Sequence, residues 1–103
     1  MHLMVLAHQA TDEPVQLDFS SSQKYDFIAT QKGREIWRWS RDKVFAMMLD
    51  QMILKPGESL RYTATWDQRD NEGEFVPPGG YEIVGVLKTF PEVVSDPVVV
   101  DIK

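Results

Sequence analysis

From Ser59 to Trp66 the chain alternates without a break, with Leu60, Tyr62, Ala64 and Trp66 on one face and Ser59, Arg61, Thr63 and Thr65 on the other. Successive side chains of a strand point to opposite sides of a sheet, so this pattern predicts a strand with one buried and one solvated face. The pattern recurs at short intervals. Leu3, Val5 and Ala7 share a face, as do Val15, Leu17 and Phe19 after the turn residues Asp12, Glu13 and Pro14. These two stretches read as a hairpin. Tyr25, Phe27 and Ala29 alternate with Asp26, Ile28 and Thr30, and Trp37 and Trp39 with Ile36 and Arg38. Gln31-Lys32-Gly33 between them supplies a glycine for positive φ, giving a second hairpin.

In Lys55-Pro56-Gly57-Glu58, proline presets φ at the second position and glycine supplies positive φ at the third, which predicts a type II turn. Pro77-Pro78-Gly79-Gly80 precedes a strand with Tyr81, Ile83, Gly85 and Leu87 on one face, and Val98, Val100 and Ile102 form the last. The helical candidate is 42–49, where Val44, Met47 and Met48 fall at i, i+3 and i+4 and Ser40 or Asp42 caps the start. Together these predict an all-β chain: an immunoglobulin-like antiparallel β-sandwich of about seven to eight strands with one short connecting helix, with a small barrel as the alternative. Residues 1–103 read as a single domain. The first strand starts at about Leu3 with no lead-in, so an upstream strand is expected to be missing and its edge to be open to a second copy. The expected states are a monomer or an edge-strand homodimer.

The net charge is −5, from 16 acidic and 11 basic residues, and the basic ones are scattered. Nucleic acid and anionic membrane surfaces are both disfavoured, because each binds clustered Lys and Arg. Cysteine is absent, which removes disulfides, thiolate nucleophiles and cysteine-based zinc sites together. No apolar run approaches the ~20 residues of a membrane span, and the chain reads as cytoplasmic. His2 and His8 are the histidines, and no Gly-x-Ser-x-Gly elbow accompanies them. Neither catalysis nor a cofactor is expected. The acidic stretch from Asp67 to Glu74 holds calcium-type oxygens and a glycine, but its spacing departs from an EF-hand. It reads as a solvated connection, with calcium as the alternative. Trp37, Trp66 and the methionines Met47, Met48 and Met52 read as core, and Trp39 as either core or surface.

Ser22-Gln23-Lys24-Tyr25-Asp26-Phe27, followed by Glu35-Ile36-Trp37-Arg38-Trp39-Ser40 and Val44-Phe45, resembles the BsuPI-type intracellular proteinase inhibitor family. Leu54-Lys55-Pro56-Gly57-Glu58, Tyr62-Thr63-Ala64-Thr65-Trp66 and Val76-Pro77-Pro78-Gly79-Gly80-Tyr81 look like that family's later blocks, in its order and spacing. The resemblance implies an immunoglobulin-like sandwich and inhibition of a subtilisin-like serine protease inside the cell. A non-inhibitory immunoglobulin-like binding or scaffold module is the alternative.

Inhibition by direct binding needs an exposed loop that keeps its shape, and without cysteine that rigidity must come from framework hydrogen bonds and proline. Three connections are long enough: 40–51, 67–78 and 89–97. The second is favoured because it is polar and ends against the stiff Pro77-Pro78 pair. Its expected contact residues are Asp70, Asn71, Glu72, Glu74, Phe75 and Val76.

Overall fold

The alternating segments do become strands, and their partners decide the architecture. A computed structural model describes residues Met1–Lys103. Its strands are β1 (His2–His8), β2 (Val15–Phe19), β3 (Tyr25–Gln31), β4 (Arg34–Arg38), β5 (Asp50–Leu54), β6 (Ser59–Thr65), β7 (Gly79–Leu87), β8 (Val93–Val94) and β9 (Val98–Ile102). A single 3-10 turn, Trp39–Asp42, follows β4. No helix is long and apolar enough to cross a membrane.

All sheet pairings are antiparallel, and β7 is central to the larger sheet. It pairs with β3, which pairs with β4, and on its other side with β9 and then β8. Between β8 and β9 the edge is interrupted at Ser95, whose N–H donates to the Gly85 carbonyl (2.9 Å) and whose Oγ accepts the Gly85 N–H (2.8 Å). Such an interruption, followed by Pro97, blunts an exposed edge.

The facing layer is built from β1 paired with β6 and β2 paired with β5. The register runs from His8 opposite Ser59 to Val15 opposite Leu54, so the two pairs follow one another along a two-stranded ribbon. The core lies between the layers, with Leu3 and Trp66 packed against Phe27, Ala29, Tyr81, Ile83 and Ile102. Trp66 is stacked on Trp37 (5.5 Å) and meets Tyr81 edge-on (6.0 Å). Burying each such side chain stabilises the fold by roughly 1.5–3 kcal/mol. The layers approach closely at Gly85, where an added Cβ would stand 2.8 Å from Val5 Cβ. The radius of gyration is 15.0 Å, against about 13 Å for a compact domain of this size. The molecule is correspondingly drawn out, 45 × 29 × 21 Å.

The β3–β4 hairpin forms as expected, with Lys32 and Gly33 at φ 54° and 77°. The type II turn also forms, with Gly57 at φ 81° and the Glu58 N–H donating to the Lys55 carbonyl (3.0 Å). That turn does not fold β5 back onto β6, and β1 and β2 are not a hairpin. Residues 9–14 form an excursion in the ribbon opposite the turn. Gln9 is buried there: its N–H donates to the Glu58 carbonyl, its carbonyl accepts the Gly57 N–H, and its Oε1 accepts the Thr11 N–H and hydroxyl.

The helix expected over 42–49 is absent, and the 3-10 turn before it is the helical element. Two isolated turns are marginal without an apolar face to bury, and Met47, Met48 and Leu49 are exposed rather than packed. Met47 and Met48 are therefore not core. Met52 is half-buried. Trp66 is fully buried, and Trp37 and Trp39 lie half-buried against the core.

Candidate protein-binding surface

The 67–78 loop lies along the outer edge of β4. Asn71 stands where the next strand's residue would: its N–H donates to the Ile36 carbonyl (2.9 Å), and its Oδ1 accepts the Arg38 N–H (2.9 Å). Its side-chain Nδ2 donates to Glu35 Oε2 (3.0 Å). Asp70 shapes the tip, with Oδ1 accepting the N–H groups of Glu72 and Glu74 at 3.0 Å and its own N–H donating to the Glu74 carbonyl (2.8 Å). The base is closed by the Val76 N–H on the Gln68 carbonyl (2.9 Å) and by Trp66 Nε1 on the Arg69 carbonyl (2.9 Å). Bonds of this kind each contribute about 1 kcal/mol net and leave an edge strand covered.

Glu35 Oε1 accepts two bonds from the Arg38 guanidinium (2.8 and 3.1 Å). That guanidinium holds the Glu35 carboxyl below the usual glutamate range; partial burial opposes the shift and the Asn71 amide adds to it. Arg38 also reaches Asp26 Oδ2 (3.2 Å). Asp26 is buried and accepts the Ser40 hydroxyl (2.6 Å) and N–H (3.1 Å). One carboxylate thus fixes the start of the 3-10 turn to β3, with Ser40 serving that carboxylate rather than capping a helix.

Residues 43–49 leave this turn as an irregular segment. Its root is aromatic: Tyr62, Tyr25, Trp39 and Phe45 form a column with centroid separations of 4.7, 4.5 and 6.1 Å. Past Phe45, Ala46 is clipped to Ser22 in both directions, its N–H donating to Ser22 Oγ (2.8 Å) and its carbonyl accepting the Ser22 N–H (2.9 Å). The side chains on either side of the clip face solvent, with exposures of 98% at Val44 before it and 90% at Met47 and 86% at Leu49 after it. A hollow of about 260 Å³ lies beside Leu49, lined also by Asp18, Phe19, Ser20 and the exposed Phe90. Elsewhere, His8 Nδ1 lies 2.8 Å from Ser59 Oγ as an exposed cross-strand pair. An apolar cleft of about 320 Å³ opens between β1 and the sheet edge, over Phe27, Ile83 and Val98. No group of three or more His, Cys, Asp or Glu is placed to hold a metal ion.

The all-β frame carries exposed loops that offer surfaces to a protein partner. The family model for BsuPI, intracellular proteinase inhibitor, matches residues 2–92. The chain belongs to this inhibitor family. No single curated protein matches it. The family makes a proteinase the partner class. The matched span includes both the 67–78 loop and the 43–49 segment, whereas β8 and β9 lie outside it.

In this member of the inhibitor family the six residues expected at a contact separate into two groups. Glu72, Glu74 and Phe75 are exposed, Phe75 at 68%, with the Arg69 guanidinium 4.1 Å over its ring. Asp70 and Asn71 are engaged in shaping the loop, and Val76 is part of the buried core. The 43–49 segment lies in the 40–51 connection, one of the three long enough for a contact, but its methionines read as core because they fall at helical spacing. The sequence offered no signal against that reading, because Val44-Phe45-Ala46-Met47-Met48-Leu49 is apolar throughout.

Proposed function

We propose that this chain is a cytoplasmic inhibitor of a subtilisin-type serine protease and meets it through the surface carrying Glu72, Glu74 and Phe75. The observation that supports this reading most directly is the bracing of the 67–78 loop on the edge of β4 through Asn71. A loop offered to a protease must lose little entropy on binding and must resist being drawn into the cleft as substrate. Small inhibitors often use disulfides for this; here backbone bonds, the Asp70 tip and Pro77-Pro78 supply the stiffness. Asp70, Asn71 and Val76 act in this reading by holding the exposed residues in place. A stable contact would bury roughly 800 Å² on each partner, an area larger than one loop, so neighbouring segments take part.

The test is titration of subtilisin with the protein, for which stoichiometric loss of activity is expected. Phe75→Asp is expected to weaken inhibition by at least about tenfold, as loss of an aromatic anchor does, while the unfolding temperature is unchanged. A chain that is digested or ignored by the protease would instead be a non-inhibitory binding or scaffold module.

A further inference from the structure

Phe75 aside, the 67–78 loop is polar at its tip, and further exposed apolar side chains stand on the neighbouring 43–49 segment. Met47, Leu49 and Val44 are the most exposed large apolar residues near the 3-10 turn, and the exposed Phe90 shares a hollow with Leu49. The turn links the two surfaces, because Arg41 and Asp42 line one pit together with Asp67, Arg69, Asp70 and Gly73. One partner contacting Glu72 to Phe75 is therefore within reach of the segment that follows Asp42.

The backbone at Met47 has a particular form. The Ala46 carbonyl accepts both the Ser22 N–H (2.9 Å) and the Met48 N–H (3.1 Å), so Met47 sits at the apex of a three-residue turn. Ser22 Oγ holds the Ala46 N–H as well, and Phe45 is fixed against Trp39. A serine protease pairs with its substrate as an added extended strand before the nucleophile attacks the carbonyl. At Ala46 the groups needed for such pairing are already engaged, and at Met48 the N–H is turned inward.

We propose that Met47 fills the primary specificity pocket of the target protease, that this pocket takes an apolar side chain of about the size of methionine or leucine, and that the Ser22 clip prevents the segment from being cut. This inference rests on the inhibitor reading above. It names the chemistry of the partner, an apolar-specific serine protease rather than one selective for basic or acidic residues. Ser22 is a positioning residue: it acts on the partner only through Ala46.

The experiment measures inhibition constants against subtilisin for the full chain and its Met47→Asp, Met47→Leu, Ser22→Ala and Ser22→Thr variants, with thermal unfolding to confirm folding. Met47→Asp is expected to weaken inhibition by at least about 30-fold, the loss typical of a central anchor. Met47→Leu should stay within about tenfold of the parent, as similar-volume apolar exchanges do. Ser22→Ala should turn the inhibitor into a substrate, with mass spectrometry finding water added across the Met47–Met48 peptide bond, and Ser22→Thr should restore resistance. If the parent inhibits and Met47→Asp inhibits equally well, the segment is not the contact and the inference fails while the inhibitor reading stands. If the parent does not inhibit at all, the inhibitor reading fails first. Cleavage of Ser22→Ala only outside 43–49 would overturn the role given to the clip.

Discussion

The 67–78 loop and the 43–49 segment are both long connections reaching the same 3-10 turn, and they are held in opposite ways. The first is mostly polar and braced by its own side chains: Asp70 closes its tip, Asn71 completes the hydrogen bonding of β4, and Val76 is core, while Glu72, Glu74 and Phe75 stay exposed. The second is apolar and fixed at two places, by Phe45 on Trp39 and by Ala46 on Ser22. Polar side chains near a sheet edge satisfy its unpaired groups and lose their freedom to bind others. Apolar side chains at the end of a tethered segment remain available. In the reading proposed above, the polar loop frames the contact surface and adds Phe75 to it, and the apolar segment presents Met47.

Asp26 is where the two are joined, so its removal should break the comparison by loosening both. Asp26→Ala leaves the Ser40 hydroxyl and N–H without their buried acceptor, and an expected loss of about 2–3 kcal/mol follows from those unsatisfied donors, while the part-exposed Arg38 keeps Glu35. Urea denaturation checks this; a loss under about 0.5 kcal/mol, the range of ordinary surface changes, would show that the carboxylate does not tie the turn to β3. A smaller effect should separate the regions. Asn71→Ala removes the acceptor of the Arg38 N–H and the donor to Glu35, for an expected loss of about 1–2 kcal/mol. Hydrogen exchange should then quicken at Arg38 and Glu74 and stay unchanged at Ala46. Equal acceleration at Ala46 would mean that the two connections move as one unit.

The sequence predicted faces better than partners, for a physical reason visible in particular residues. Period-2 alternation reports which side of a strand is buried, and so Trp66, Phe27 and Tyr81 could be assigned to the core directly. It carries nothing on which strand lies alongside. Asp12, Glu13 and Pro14 look the same in a hairpin turn as in a ribbon excursion, and the difference lies in Gln9, whose bonds to Thr11, Gly57 and Glu58 exist only once the ribbon has formed. Gly57 shows the same limit, since its turn type was readable and the course of the chain beyond it was not. Among the candidate contact residues, Phe75 was legible as an exposed aromatic beside stiff prolines. Asn71 was read as a contact because its strand-like role depends on the nearness of β4, 33 residues earlier at Arg38.

Acid should sharpen the comparison further, with the smallest effect of the set. Glu35 has its carboxyl held below the usual glutamate range, first by the Arg38 guanidinium. A carboxylate depressed by folding contributes stability that is fully present above its unfolded value and is lost as pH falls through its folded one. The contribution is therefore intact at neutral pH and fades below the ordinary glutamate range. Glu35 is largely exposed, so solvent screening keeps the effect on global stability small. Its local consequence is selective, because protonation weakens the grip on Arg38 and on the Asn71 amide. The Ser22–Ala46 clip contains no titratable group. Lowering the pH through this range should broaden the Asn71 side-chain amide resonances in NMR spectra before the Ala46 amide changes, and Glu35→Gln should remove that early step. If Ala46 responds at the same pH as Asn71, the framing loop and the presenting segment share one acid-sensitive support, and their independence is wrong.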